Sequence, residues 1–202
     1  MVQLNKIAFE QADVLAMGNH EIIKIISLNQ KLQTEWIAPR SLKNSDWISK
    51  TQNDQVASGA LNSTIELSKT TGRAAFSKFI TLDLPGQEPL AREGSAVFWQ
   101  VVPNFIGGEP IGYLAVLYST QGILDVVPSD LKAHYRFTLL TDDERVLSIS
   151  SDRDTPKRAL SNQTSLDIGV LSPNLTLLHR SLHRESSPVL ACSRTDHTRT
   201  FR

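Results

Sequence analysis

The sequence predicts an α+β fold in which a long N-terminal helix and a second helix pack on a central antiparallel sheet. Three observations support this prediction. Apolar residues recur at three- and four-residue steps up to about residue 37, which is typical of a helix that buries one side. From residue 72 onward the apolar runs are short and β-like. The links between these runs are also short, which favours antiparallel pairing.

The first helix is expected over residues 1–37, within an N-terminal stalk and dimerisation segment at 1–42. Gly18 and Asn19 form a weak point in it, and Pro39 ends it because the residue before a proline avoids the helical region. Such a helix extends about 50 Å, which exceeds the core of a small domain. Its first half is therefore expected to project and pack against a second copy, with folding back onto the body as the alternative.

The main folded domain is predicted at residues 43–184, followed by a flexible tail at 185–202. Its second helix is expected over 44–70. A short helical connection is expected over 119–133 and a polar loop over 150–165. Strands are expected at 74–82, 95–102, 111–118, 135–140, 146–149, 167–171 and 175–182. The nearly continuous apolar run at 111–118 predicts a central strand that is covered on both faces.

Charge and composition narrow the class of protein. The 202 residues include 21 Lys and Arg and 21 Asp and Glu, so the formal net charge is +0, which argues against a nucleic-acid partner. Cys192 is the single cysteine, which excludes an internal disulfide. No segment reaches the roughly 18 apolar residues needed to span a bilayer. Two interpretations stay open: a chain that is soluble by itself, or a part of a longer protein whose membrane segments lie outside it.

Motifs for catalysis or for cofactors are missing from the sequence. There is no phosphate-binding Gly-rich loop and no nucleophile elbow. His179 and His183 have the spacing of a helical zinc pair, but Arg180 stands where the metalloprotease signature has glutamate. We therefore expect no cofactor, no metal and no catalytic residue in this chain.

Aromatic and polar side chains are concentrated in the predicted central strands. Tyrosine and tryptophan place an apolar body and a polar tip in a cavity, and small-molecule pockets are mostly apolar with a few placed polar groups. A plain core with tyrosines at its edge is the alternative. Arg136 is suited to a two-point bond with a carboxylate, although its neighbour Tyr135 points to the opposite face of a strand. The candidate ligand-binding residues are Trp99, Tyr113, Tyr118, Tyr135 and Arg136.

The arrangement of turns and apolar positions resembles a known family over roughly residues 70–185. The residues that carry the resemblance are Thr71-Gly72-Arg73 with Ser77, the pair Gly107-Gly108, Pro110-Ile111-Gly112-Tyr113-Leu114 with Val116, Tyr118 and Ser119, Leu124 with Val127-Pro128, Tyr135, Phe137, Leu139-Leu140 and Asp142, and Val146-Leu147. This pattern is similar to the extracytoplasmic PAS-like (Cache-type) sensor domains of bacterial two-component sensor histidine kinases.

The resemblance implies a location and a mechanism. Such domains lie in the periplasm between two helices that cross the inner membrane, and they dimerise through the N-terminal helix. A small-molecule ligand would shift the population between two arrangements of the domain, and the long helix would carry that shift to a kinase elsewhere in the protein. A chemoreceptor, a cyclic-dinucleotide (diguanylate) synthase, a soluble binding or scaffold protein and a small enzyme remain the alternatives.

Overall fold

The computed structural model describes residues 2–39, 55–81, 96–150, 161–166 and 175–181. Four helices lie in this part of the chain: α1 (Val2–Gly18), α2 (Gln55–Thr71), α3 (Thr120–Asp125) and α4 (Ser129–His134). None of these helices is long and apolar enough to cross a membrane. The strands are β1 (Ile22–Asn29), β2 (Thr34–Ala38), β3 (Ala75–Phe76), β4 (Ile80–Thr81), β5 (Ala96–Ile106), β6 (Glu109–Ser119), β7 (Tyr135–Thr141), β8 (Val146–Ile149), β9 (Ser161–Leu166) and β10 (Leu175–Ser181).

The first sheet has the order β2-β1-β6-β5-β3, with β4 also paired to β5, and all its pairs are antiparallel. The long hairpin of β5 and β6 turns at Gly107 and Gly108, which both have positive φ. The α+β fold with an antiparallel central sheet is therefore confirmed.

Helices cover both faces of the first sheet. On one face, Phe9 and Ala12 of α1 pack against Ile25 and Val116. On the other face, α2 packs against a core that includes Trp99. The central strand β6 explains this arrangement, because its apolar run supplies side chains to both faces. Its predicted coverage on both sides is confirmed.

The prediction of one helix over 1–37 is wrong beyond Gly18. The Asn19 side-chain amide donates a hydrogen bond to the Leu15 carbonyl, 2.8 Å away, at the C-terminus of α1. The following residues form β1 and β2 instead. The segment that begins at Ile22 is rich in β-branched isoleucine, which favours strands, and pairing with β6 decides the outcome over the helical spacing.

The second predicted helix is present where the structure describes it. α2 begins at Gln55, and the predicted portion 44–54 lies outside the described residues. The helix ends at Thr71, and the next residue, Gly72, has φ +64° and donates its amide to the Ser68 carbonyl at 2.9 Å. A glycine in the left-handed region is a common helix terminator because it lacks Cβ.

A second sheet follows in the chain, with the antiparallel order β8-β7-β10-β9. The strands predicted at 135–140 and 146–149 are present and pair as β7 and β8, and the strand predicted at 175–182 is present over Leu175–Ser181, with residue 182 outside the described residues. The predicted polar loop over 150–165 is wrong at residues 161–165, which belong to β9. The strand expected at 167–171 and the tail at 185–202 lie outside the described residues.

α3 connects the two sheets. The buried Thr120 hydroxyl lies 2.7 Å from the Ala96 carbonyl oxygen of β5 and 2.6 Å from the Ser148 hydroxyl of β8. The Ser119 side chain caps the helix by accepting from the Gly122 amide at 3.1 Å. Gly122 packs directly on the backbone of His20 and Glu21, and a Cβ at this position would overlap the His20 carbonyl oxygen.

Candidate ligand-binding site

A cavity of about 240 Å³ lies between the first sheet and α2. Its floor is formed by β1 and β5, its wall by α2, and its rim by the turn between β1 and β2. The described residues that line it are Lys24, Ile26, Leu28, Leu32, Thr34, Ala57, Ser58, Leu61, Asn62, Ile65 and Trp99. Most of these side chains are apolar, and a few polar groups lie among them, which is typical of a small-molecule site.

The wall of the cavity follows from the periodicity of α2. Ala57, Leu61 and Ile65 recur every four residues and therefore share one side of the helix, which faces the sheet. The Trp99 indole Nε1 donates to the Ala57 carbonyl oxygen at 3.2 Å and joins β5 to the first turn of α2. Because the indole has a single donor, Trp99 offers a ligand an apolar surface rather than a polar tip.

Lys24 is placed on the floor of this cavity by a β-bulge. The register between β1 and β6 shifts between Ile22 and Lys24, so two residues of β1 oppose one residue of β6. Bulges redirect side chains. Lys24 consequently lies opposite Leu117, which is itself opposite Trp99, and these three side chains share the face that α2 covers.

The Lys24 side chain is buried to 1% exposure, and it carries the only ionisable group among the described lining residues. Burial lowers its pKa from 10.5 to about 8, because desolvation disfavours the charged ammonium. Its ammonium makes no hydrogen bond or ion pair with another residue in the described part of the chain. A buried cation without an anion is unfavourable, so this position is electrostatically suited to a negatively charged group.

Of the five candidate residues from the sequence, Trp99 alone lines the cavity. Tyr113 is buried in the core on the same face of the sheet, opposite Leu28 in the register. Tyr118 lies on the other face, where its ring stacks on Phe98 with centroids 5.3 Å apart. Burial, and secondarily the Glu21 carboxylate, raise the pKa of the Tyr118 phenol.

Tyr135 and Arg136 belong to the second sheet, so the structure does not bring them together with the other three. Tyr135 makes an edge contact with the His179 ring at 5.9 Å. Arg136 lies on the opposite face, as expected for successive strand residues. It lines a separate concave surface of about 430 Å³ that also includes Arg180, its cross-strand partner.

Lys24 and the α2 residues of the cavity were missed from the sequence. The signal was present, because Lys24 interrupts a run of four isoleucines that begins at Ile22. A lysine inside an apolar strand is rare unless the ammonium has a role or a partner. The helical interpretation of this segment placed Lys24 on a solvated side and so concealed it. The described residues contain no group of three or more His, Cys, Asp or Glu side chains placed to hold a metal ion.

Comparisons with known proteins identify the fold. No family model matches the sequence, and no curated protein matches it. Among solved structures, an extracellular ligand-binding receptor from Desulfohalobium retbaense matches 86% of this chain with 16% sequence identity and a TM-score of 0.52. The chain corresponds to 32% of the length of that receptor. This likeness supports the predicted PAS-like, Cache-type fold.

A second similar structure is the ligand-binding domain of the Pseudomonas aeruginosa amino acid chemoreceptor PctC in complex with GABA. It matches 79% of this chain and 74% of its own length, with 9% identity and a TM-score of 0.40.

Proposed function

We propose that this chain is the ligand-sensing part of an extracytoplasmic sensor domain of a bacterial membrane receptor, with the ligand bound in the cavity between β1 and α2. The observation that carries the proposal is the cavity itself, because a concave and mostly apolar cleft with one buried cation is suited to binding a small molecule. The Cache-type fold and the extracellular receptor that shares it support the same conclusion. The functional output is proposed to be a sensor histidine kinase in the bacterial inner membrane, on the strength of the sequence resemblance.

Sensing in this domain follows from the position of the cavity between two separately anchored elements. β1 belongs to the sheet, whereas α2 packs on that sheet through Ala57, Leu61 and Ile65. A ligand that contacts both elements stabilises the arrangement in which they are close and shifts the population toward it. α1 packs on the opposite face of β1, so it experiences the change directly.

Dimerisation through α1 is part of the proposal. The side of α1 that faces away from the sheet exposes Ile7, Val14 and Met17. Their spacing of seven and three residues is the spacing of a coiled-coil seam. The observed helix is shorter than the predicted stalk, so these residues define the surface on which a second copy is proposed to pack.

Ligand binding is tested by a thermal-shift screen of the chain with a chemically diverse panel of small molecules, followed by calorimetry. A Leu61→Trp variant places a large ring in the cavity and is expected to abolish the response to every compound that binds the wild type. Leu67→Trp is the matched control, because Leu67 lies on the exposed side of the same helix. Absence of any binder in the panel, or unchanged binding in Leu61→Trp, would refute the proposal.

A further inference from the structure

The chemistry of the cavity restricts the ligand that it accepts. Lys24 presents a cation that is nine-tenths or more buried, lines the cavity, and has no partner among the described residues. A ligand that supplies a negative charge at this position replaces the lost hydration of the ammonium. A neutral or cationic ligand would leave that buried charge uncompensated, and a cation would add a repulsion to it.

The volume of the cavity indicates how large a part of the ligand it can surround. A dry protein cavity of about 150 Å³ holds benzene, so a cavity of about 240 Å³ holds roughly ten non-hydrogen atoms by proportion. Ile26, Leu28, Leu61 and Ile65 supply apolar surface around the charge. A small ligand whose body is apolar fits these walls better than a sugar or a nucleotide does.

The described lining residues also disfavour a second charge on the ligand. They include no aspartate or glutamate, and their other polar side chains are those of Thr34, Ser58 and Asn62. A zwitterion or an amine would therefore enter without a carboxylate to receive its ammonium. A phosphate dianion requires several donors at once, and a single lysine is one point charge.

We infer that the ligand of this cavity is a small monocarboxylate with an apolar body, its carboxylate paired with the Lys24 ammonium and its body packed between Trp99 and Leu61. This inference rests on the proposed function and adds the ligand class to it. The carboxylate end lies toward the floor at β1, and the apolar end points toward α2.

The test uses calorimetry with three matched sets of probes at pH 7: benzoate and hexanoate, their amides, and the amines benzylamine and hexylamine. Each carboxylate is expected to bind about 10- to 100-fold more tightly than its amide, which is the range for hydrogen bonds to charged groups. The amines are expected not to bind. Lys24→Met is expected to remove the preference for carboxylate over amide. Lys31→Met, at an exposed position in the turn after β1, is the control and retains it.

The pH dependence of binding to the wild type tests the same inference without a substitution at Lys24. The affinity for benzoate or hexanoate is expected to fall above about pH 8, as Lys24 loses its proton, while carboxylates stay ionised throughout that range. Lys24 faces α2 across the cavity, and the side chains of α2 that line it, Ala57, Ser58, Leu61, Asn62 and Ile65, do not titrate.

The results distinguish a wrong ligand class from a wrong proposed function. Equal binding of carboxylate and amide, tighter binding of an amine, or an unchanged preference in Lys24→Met overturns the inference and leaves the proposed function standing. If neither carboxylate binds, the inference is wrong. If the diverse panel also contains no binder, the proposed function is refuted with it.

Discussion

Replacing Lys24 by methionine is expected to stabilise the ligand-free protein, because it removes a buried charge while keeping an unbranched chain of similar length. Lys24 lies on the cavity floor with a pKa of about 8, lowered from 10.5 by burial. A difference of about 2.5 pKa units, at 1.36 kcal/mol each, corresponds to a cost of about 3 kcal/mol for holding the ammonium in the folded state. Lys24→Met is therefore expected to raise the free energy of unfolding by up to about 3 kcal/mol at pH 7.

The stability difference between Lys24→Met and wild type is expected to depend on pH, because the pKa of Lys24 differs between the folded and unfolded states. The folded-state pKa of Lys24 lies below its unfolded value, so the unfolded chain binds more protons between about pH 8 and 10.5. The free energy of unfolding of the wild type consequently rises with pH across that window. The cost of the charge is fully present below about pH 8 and is lost near pH 10.5. The difference between Lys24→Met and wild type is expected to shrink over the same interval.

Urea denaturation followed by circular dichroism at pH 7, 8, 9 and 10 measures these differences, with Lys31→Met as the exposed control. The effect of Tyr118 on the pH dependence of stability is opposite to that of Lys24. Its raised pKa stabilises the fold at lower pH, and this contribution is lost as the pH rises beyond 10. Both proteins contain Tyr118, so its effect cancels in the difference. A Lys24→Met protein that is less stable than wild type at pH 7, or a difference that does not vary with pH, would refute the electrostatic reasoning.

Three further substitutions probe the junction and the proposed dimer surface. Thr120→Val removes a buried hydroxyl that contacts Ser148, and it is expected to lower the free energy of unfolding by about 1–3 kcal/mol in urea titrations. A value near zero would mean that this network contributes no net stability. Gly122→Ala is expected to lower the melting temperature, because its Cβ overlaps the His20 carbonyl; an unchanged melting curve contradicts that contact. Val14→Lys, at a position 68% exposed, is expected to weaken self-association about tenfold in sedimentation with little loss of stability, and a wild type that stays monomeric refutes the dimer.

The fold class was predictable because it depends on local patterns that the sequence displays directly. Short apolar runs after residue 72 predicted antiparallel strands, and the run in β6 predicted two covered faces. The end of α1 was not predictable in the same way. The bulge after Ile22 breaks the strict alternation of β1, so its isoleucines imitate helical spacing, and only the long-range pairing with β6 reveals the strand. β9 was missed because its residues are polar and resemble a loop.

The site was less predictable than the fold. Trp99 was predicted because aromatic residues in central strands are good candidates for a cavity wall; it lines the cavity, and its contact with a ligand stays a prediction. Tyr118 looked equivalent from the sequence, yet the register places it opposite Phe98, on the face that α1 covers. Composition does not reveal which face of a sheet a residue occupies, since a shift by one residue reverses it. Lys24 reaches the cavity floor because the register of β1 shifts between Ile22 and Lys24, and the sequence does not show this shift.

Gly122 has a mechanical consequence. At Gly122 the backbone of α3 contacts the backbone of His20 and Glu21 directly, with no side chain between them. Closely packed contacts of this kind have low compressibility and transmit strain. β1 starts at the next residue and reaches Lys24 two positions later. The same helix is joined to the second sheet, because the Thr120 hydroxyl lies 2.6 Å from the Ser148 hydroxyl of β8. We therefore expect a displacement of β1 at the cavity floor to reach α3 through this backbone contact.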